Sequence, residues 1–324
     1  MLQDRYGRQF PYLRLSITDV CNFRCNYCLP NGYEGDAHAA FLRADEIRRL
    51  VTAFAELGMW KIRLTGGEPS VRKDLPELIR TVANVPGIRR VAMTTNGYKL
   101  KQQVSSWRAA GLDSLNISVD SLDPRAFAAI TGHDKLQEIL AGIEQALTLD
   151  FSAIKLNAVL LRGINDQQLD RFLDWLRTRP VSMRFIELMQ TGDNAQFFDR
   201  HHVPGSELVL ALHQRGWQEL PRTRDGGPAR EFVHPDYQGQ IGLIAPYSKD
   251  FCDSCNRLRV TALGDLRLCL FGDAGTSLRD LLQHDEQRLQ LKTRIESQLQ
   301  LKKISHFLHD GNTGATPHLA SCGG

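Results

Sequence analysis

Between residues 12 and about 190 the chain repeats a two-part pattern that few folds accommodate. Six strand-like runs, YLRLSIT (12–18), KIRLTGG (61–67), RRVAMTTNG (89–97), SLNISVD (114–120), IKLNAVLL (154–161) and VSMRFIELM (181–189), alternate with amphipathic stretches. In one such stretch, ADEIRRLVTAFAELG, Ile47, Leu50, Val51 and Phe54 recur at helical spacing, and Gly58 stands where a helix C-cap would fall. Serial β/α units imply parallel strands joined by right-handed crossovers, in either a barrel or a doubly wound sheet. Side-chain parity separates the two. One phase of the runs carries Leu13, Leu15, Ile17, Ile62, Leu64, Leu115, Ile117, Val119, Ile154, Leu156, Val181, Met183 and Phe185. The other carries Arg14, Ser16, Thr18, Lys61, Arg63, Thr65, Thr94, Asn96, Asn116, Ser118, Asp120, Lys155, Asn157 and Arg184. Strands of a doubly wound sheet are buried on both faces and read as nearly all apolar. Here one face suits helices while the other is polar and holds five cations, which fits a curved sheet around a hydrated, ligand-holding lumen.

The expected fold class is therefore α/β: an incomplete parallel (βα)6-type TIM-like barrel with a C-terminal α+β segment closing the open side. After about residue 190 the pattern changes. GDNAQFFDRHHVPG (192–205) is loop-rich, residues 226–244 read as a hairpin or small sheet, and LRVTALGDLRLCLF (258–271) reads as two strands joined by a tight turn. Helical patterns follow near 277–283 and 286–303. The expected division is an N-terminal extension (1–11), the partial barrel (12–190), a C-terminal segment (191–310) and a flexible tail (311–324) ending in Gly-Gly. A net charge of +3, from 40 basic and 37 acidic residues, gives no reason to expect nucleic acid or a membrane surface as partner. No apolar run approaches the ~20 residues needed to span a bilayer, and no secretory signal opens the chain, so a cytoplasmic location is expected.

Two cysteine sets carry the chemistry. Cys21, Cys25 and Cys28 are spaced C-x3-C-x2-C in a loop made polar by Asn22, Arg24 and Asn26. Three such thiolates can each ligate one iron of a four-iron cubane and leave the fourth iron open to a small molecule. The second set is Cys252, Cys255 and the more distant Cys269. It could hold zinc, with His201, His202 or His234 as fourth ligand, or a second cubane with one free iron. Spacing alone favours zinc, whereas the first cysteine loop and the lack of a histidine near Cys269 favour the cubane. Arg257 and Arg259, two apart on a strand beside this set, suit a carboxylate or phosphate. Gly66-Gly67-Glu68-Pro69 ends the second strand, where glycine lets backbone approach a ligand. The confined cations Arg14, Lys61, Arg63, Lys155 and Arg184 would be balanced by a multiply anionic ligand such as a triphosphate, or more plainly by loop carboxylates, with Lys61 reaching solvent.

CNFRCNYC, with Tyr27 before its third cysteine, resembles the signature loop of the radical S-adenosylmethionine enzymes. Together with YLRLSITDVCNFRCNYCLP, KIRLTGGEPSVR, TTNGYKL, SVDSLD, RFIELM, FCDSCNRLRV, LCLFG and the Gly-Gly end, it resembles the GTP 3′,8-cyclase family, over Arg14 to Gly324. The resemblance implies a [4Fe-4S] cluster on Cys21, Cys25 and Cys28 that cleaves S-adenosylmethionine to a 5′-deoxyadenosyl radical. That radical would abstract the ribose 3′ hydrogen of GTP, and the ribose carbon would attack guanine C8 to give 3′,8-cyclo-7,8-dihydro-GTP in molybdenum cofactor biosynthesis. It implies a second [4Fe-4S] cluster on Cys252, Cys255 and Cys269. It implies S-adenosylmethionine contacts at Tyr27, Gly67, Ser118 and Met189, and GTP contacts at Arg14, Arg63, Thr94, Lys155, Arg184, Arg257, Leu258 and Arg259. Arg257, Arg259 and Lys155 would act by positioning substrate, with no protein acid or base assigned. Cys322 stands outside the ligand pattern. Implied partners are a flavodoxin or ferredoxin as electron donor and a cyclic pyranopterin monophosphate synthase that receives the product; a homodimer is compatible. The rival readings are a peptide-modifying radical enzyme with an auxiliary cluster and a zinc-stabilised RNA-binding module.

Overall fold

The six expected strands form as β1 (Tyr12–Ser16), β2 (Lys61–Thr65), β3 (Arg90–Thr95), β4 (Ser114–Ser118), β5 (Ala153–Leu160) and β6 (Ser182–Glu187). They are parallel and adjacent in chain order in this computed structural model, which describes residues 1–35, 40–222, 227–272 and 274–315. Each run ends one or two residues short of its expected C-terminal limit. The leftover residues, among them Thr18, Gly67, Asn96, Asp120 and Met189, form the loops at the C-terminal edge of the sheet, where parallel β/α folds build their sites.

Register bears out the parity argument. Leu15, Leu64, Met93, Leu115 and Ile154 line up across five strands on the helix-covered face. On the opposite face Arg14 lies beside Arg63, Asn116 beside Lys155, and Asn157 beside Arg184. The helix Ala44–Glu56 buries Ile47, Leu50, Val51 and Phe54 against the apolar face. It stops at Gly58, whose φ of 96° is the left-handed conformation that ends a helix without a Cβ clash. The helices Leu75–Ala83, Leu100–Ala109, Pro124–Thr131, Leu136–Leu147 and Leu169–Leu176 cover the rest in the same way.

The C-terminal segment does more than close a side. Its strands are β7 (Gln218–Glu219), β8 (Arg230–Val233), β9 (Gln240–Ile244), β10 (Arg257–Val260), β11 (Asp265–Arg267) and β12 (Thr276–Ser277). β9 pairs parallel to β6 and β10 parallel to β1, so the parallel array runs β10-β1-β2-β3-β4-β5-β6-β9. The two expected hairpins form, β8 with β9 and β10 with β11, but as continuations of one twelve-stranded sheet. Arg8, Pro11, Glu231 and Asn256 line a cavity between the two flanks. Residues 192–205, expected as loop, contain the helix Ala195–His201, and Gly205–Gln214 is a further helix. The first is too short to show a period, and the second buries little beyond Leu208 and Leu212. The expected helix near 277–283 is a single turn, Arg279–Leu281, whereas that near 286–303 forms over Arg288–Leu299. No helix among the described residues is long and apolar enough to cross a membrane. The Gly-Gly end and Cys322 lie outside the described residues.

Candidate active site

The loop after β1 carries Cys21, Cys25 and Cys28 into a cavity that Tyr27, Gly67, Ser118 and Met189 also line. Three fastenings set its shape. Gly67 N donates to Thr18 O at 2.9 Å and Glu68 N to Val20 O at 2.8 Å, tying the loop to the end of β2. A Cβ on Gly67 would run into the carbonyl oxygens of Asp19 and Val20, so this approach requires glycine. Arg24 N and Asn26 N donate to Thr131 O and Ile130 O, both at 3.0 Å, at the end of the helix Pro124–Thr131. Phe23 stacks on His133 at 4.8 Å.

Two buried carboxylates organise the walls. Glu68 accepts from Ser70 N at 2.9 Å, Thr95 Oγ1 at 2.7 Å and Asn96 N at 2.6 Å. Asn96 in turn donates to Asn22 Oδ1 in the cysteine loop at 2.9 Å. Asp120 accepts the Tyr27 hydroxyl at 3.0 Å and Val159 N at 2.8 Å, and burial raises it to about 6. Burial likewise pushes the Cys21 thiol up to about 11. It drives Cys25 well above the thiol range, with Asp120, Cys28 and Cys21 adding to the effect. Thiols so crowded become thiolates only against a cationic centre, and the set therefore fits a metal cluster.

Cys252, Cys255 and Cys269 line a second cavity. The loop bearing Cys252 and Cys255 precedes β10 and the first cysteine loop follows β1, its parallel neighbour, so the two triads sit at opposite ends of the same strands. Arg8 fastens the second loop, donating to Cys252 O at 3.1 Å. Burial raises Cys255, but the charges of Lys302, Arg257 and Arg8 outweigh it and hold the thiol below its ordinary value. The three histidines considered as zinc ligands lie elsewhere. His201 bonds Arg162 O, His202 bonds Glu187 and His234 packs on Trp217. The histidine that does line this cavity is His306, which the sequence did not single out.

Between the triads runs the polar face of the sheet. Arg63 donates through Nη1 to Thr94 Oγ1 at 3.1 Å, and Arg184 pairs with Glu231 of β8 at 2.8 Å. Arg259 is register partner to Arg14. Burial, then the neighbouring cations Arg184, Lys61 and Arg63, draw Lys155 down to about 7. Burial is also the main cause that draws Lys61 down to about 8. Ser16 Oγ, Asn116 Oδ1, Asn157 Oδ1, Ser182 Oγ and Arg184 Nε are buried on this face without a hydrogen-bond partner among the described residues. Folded proteins leave few such atoms unsatisfied, and five on one wall mark a ligand surface. Leu258 departs from the expected set, because its side chain is fully buried in the core opposite Leu13 and leaves only backbone for a ligand. Tyr12, Glu231, Glu68 and Asp120 were not among the expected site residues. Parity alone marks Tyr12, which shares the phase of Arg14 and Ser16.

Comparison with known proteins adds the family. Residues 15–176 match the model of the Radical SAM superfamily, and residues 181–308 that of Molybdenum Cofactor Synthesis C. The chain is 61% identical over 323 residues to a GTP 3′,8-cyclase of Stenotrophomonas maltophilia (strain K279a), covering 100% of this chain and 99% of that protein. The chain belongs to the GTP 3′,8-cyclase family. A second relative in this family, the GTP 3′,8-cyclase of Vibrio atlanticus (strain LGP32), is 56% identical over 324 residues, covering 99% of this chain and 97% of its own length. Streptococcus suis SuiB bound to precursor peptide SuiA superposes with a TM-score of 0.63 over 91% of this chain and 67% of its own, at 12% identity. That likeness is one of fold.

Proposed function

We propose that this chain converts GTP to 3′,8-cyclo-7,8-dihydro-GTP, the first step of molybdenum cofactor biosynthesis. The observation that carries the reading is the cationic, partly unsatisfied wall that runs from one thiol triad to the other. The Cys21, Cys25 and Cys28 triad would hold a [4Fe-4S] cluster, which supplies the electron for reductive cleavage of S-adenosylmethionine. Tyr27, Gly67, Ser118 and Met189 would hold that cosubstrate against the β2 and β4 ends. Arg63, Lys155, Arg184 and Arg14 would grip the triphosphate, with Thr94 fixing the Arg63 fork. Arg257 and Arg259 would orient the guanosine end beside a second cluster on Cys252, Cys255 and Cys269. The residues' task is positioning, which can contribute several kcal/mol to a barrier, roughly 7–11 at best. A flavodoxin or ferredoxin donor, a cytoplasmic setting and transfer of product to a cyclic pyranopterin monophosphate synthase complete the reading.

The test is anaerobic incubation of the iron-reconstituted protein with reductant, S-adenosylmethionine and either GTP or a panel of peptides. GTP should yield 5′-deoxyadenosine and a cyclised nucleotide in equal amounts, and peptides neither. Deoxyadenosine release that is indifferent to GTP would overturn the proposal.

A further inference from the structure

Tyr12 occupies an unusual place for a tyrosine. It stands on the ligand-facing side of β1, and its side chain is shut away from solvent, the residue being 8% exposed. Its phenolic oxygen accepts from Arg63 Nε at 2.5 Å and from Arg14 Nε at 3.4 Å. The Lys61 ammonium lies 4.9 Å above its ring. The charged groups facing it are Arg14 on its own strand, Lys61 and Arg63 on β2 and Arg257, its register partner on β10; Arg184 on β6 also feels its charge. The Glu231 carboxylate is bonded to Arg184.

We propose that Tyr12 is the resident anion of the chamber: as phenolate it holds the Arg63 and Arg14 forks ready in the empty enzyme, and it takes up a proton when a triphosphate replaces it as their partner. The inference rests on the reading of the chamber as a nucleoside triphosphate site and adds a positioning residue to it. An oxygen that receives two guanidinium N–H groups acts as an acceptor, and two cationic donors converging on it with an ammonium over the ring favour its charged form. Burial opposes ionisation of the phenol, but Arg63, Arg14 and Lys61 outweigh it and bring the group to about 6. A polyphosphate on the same guanidiniums reverses the local field. The phenolate then sits beside several negative charges, and a solvent proton joins its oxygen while the forks turn to phosphate oxygens. Binding is thus linked to proton uptake, and affinity falls as pH rises above the empty-chamber value.

Lys155 and Lys61 also gain protons on binding, so the Tyr12 contribution is a difference. The experiment is anaerobic calorimetry on reconstituted wild-type enzyme and Tyr12→Phe, at pH ~8, in buffers of different ionisation heat. Each protein is titrated with inorganic tripolyphosphate and, separately, with GTP. The wild type should take up about one proton more than the variant per ligand bound. On wild-type enzyme alone, ultraviolet difference spectroscopy should show loss of the tyrosinate band on adding tripolyphosphate, whether or not the variant folds. Equal proton uptake by the two proteins, or no loss of that band, overturns the proposal. A proton difference seen with tripolyphosphate but no binding of GTP supports the role of Tyr12 and defeats the GTP assignment.

Discussion

Replacing Glu68 tests whether the walls of the upper cavity are held by one buried carboxylate. Three donors converge on it: Ser70 N, Thr95 Oγ1 and Asn96 N. Glu68→Ala strands all three. The first two donors are buried and stranding each should cost about 1–3 kcal/mol, whereas Asn96 N is half-buried and can recruit water, so the sum is roughly 2–6 kcal/mol. Part of this is offset, because burial disfavours the carboxylate and holds its pKa above the usual range. Glu68→Gln keeps an oxygen where Oε1 accepts from Ser70 and Thr95 but sets an amide N–H against Asn96 N. It should lose only about 1–3 kcal/mol. Stability is read from urea unfolding of the anaerobic protein, with iron and sulfide content measured in parallel. The expected order is wild type, Gln, Ala, with iron retention falling in step because Asn96 links Glu68 to Asn22 of the cysteine loop. Adding Thr95→Val to Glu68→Ala should cost less than Thr95→Val alone, since the shared bond is already gone and only the buried bond from Gly97 N to Thr95 Oγ1 remains to lose. If both single variants lie within about 0.5 kcal/mol of wild type, or the double variant is fully additive, the reasoning is refuted.

Raising the pH from about 7 to about 9 should weaken GTP binding, because Lys155 at about 7 and Lys61 at about 8 discharge in the empty chamber well before an exposed lysine would. The triphosphate favours their charged forms, so affinity that is unchanged or rises across that window, measured by calorimetry, would count against this. Asp120→Asn should loosen Tyr27 and weaken S-adenosylmethionine binding several-fold while leaving tripolyphosphate binding intact, which equilibrium dialysis can separate. Gly67→Ala should reduce bound iron at the first triad by forcing the Asp19–Val20 carbonyls away, and an unaltered iron content would contradict the close approach. Cys269→Ala should halve the iron from about eight to about four per chain and preserve S-adenosylmethionine cleavage. Loss of all iron would show instead that the two triads assemble as a unit.

The parallel strands from 12 to 190 and their two unlike faces were legible because parity is local: each residue's neighbour two positions away declares its side. The ligand wall followed from Arg14, Lys61, Arg63, Lys155 and Arg184 for the same reason. Leu258 enters the expected site only through the resemblance, which implies the whole Arg257–Arg259 run, whereas parity sends its side chain to the core with Leu13. Tyr12 was passed over because an aromatic on a strand reads as packing, and only its neighbours across the sheet turn it into a possible charge. Glu68 lies in a loop whose partners come from elsewhere in the chain, so no periodicity could expose it, and Asp120 shares the polar phase of its strand, which does not reveal its bonds to Tyr27 and Val159. That β9 and β10 join the barrel strands was hidden too, since β10 takes its register from β1 at the other end of the chain and β9 takes its own from β6, across two intervening helices.

The placement of β10 beside β1 bears on how the protein is made. A ribosome would release the first six strands long before Arg257 emerged, leaving the β1 and β6 margins with unpaired peptide groups. Until β9 and β10 have both emerged, that half-built sheet can recruit stray strands, and its chamber lacks one flank or both. Cofactor loading and release from chaperones are therefore expected to wait for translation to finish, and C-terminal truncations to emerge as aggregates rather than as a soluble radical-forming half.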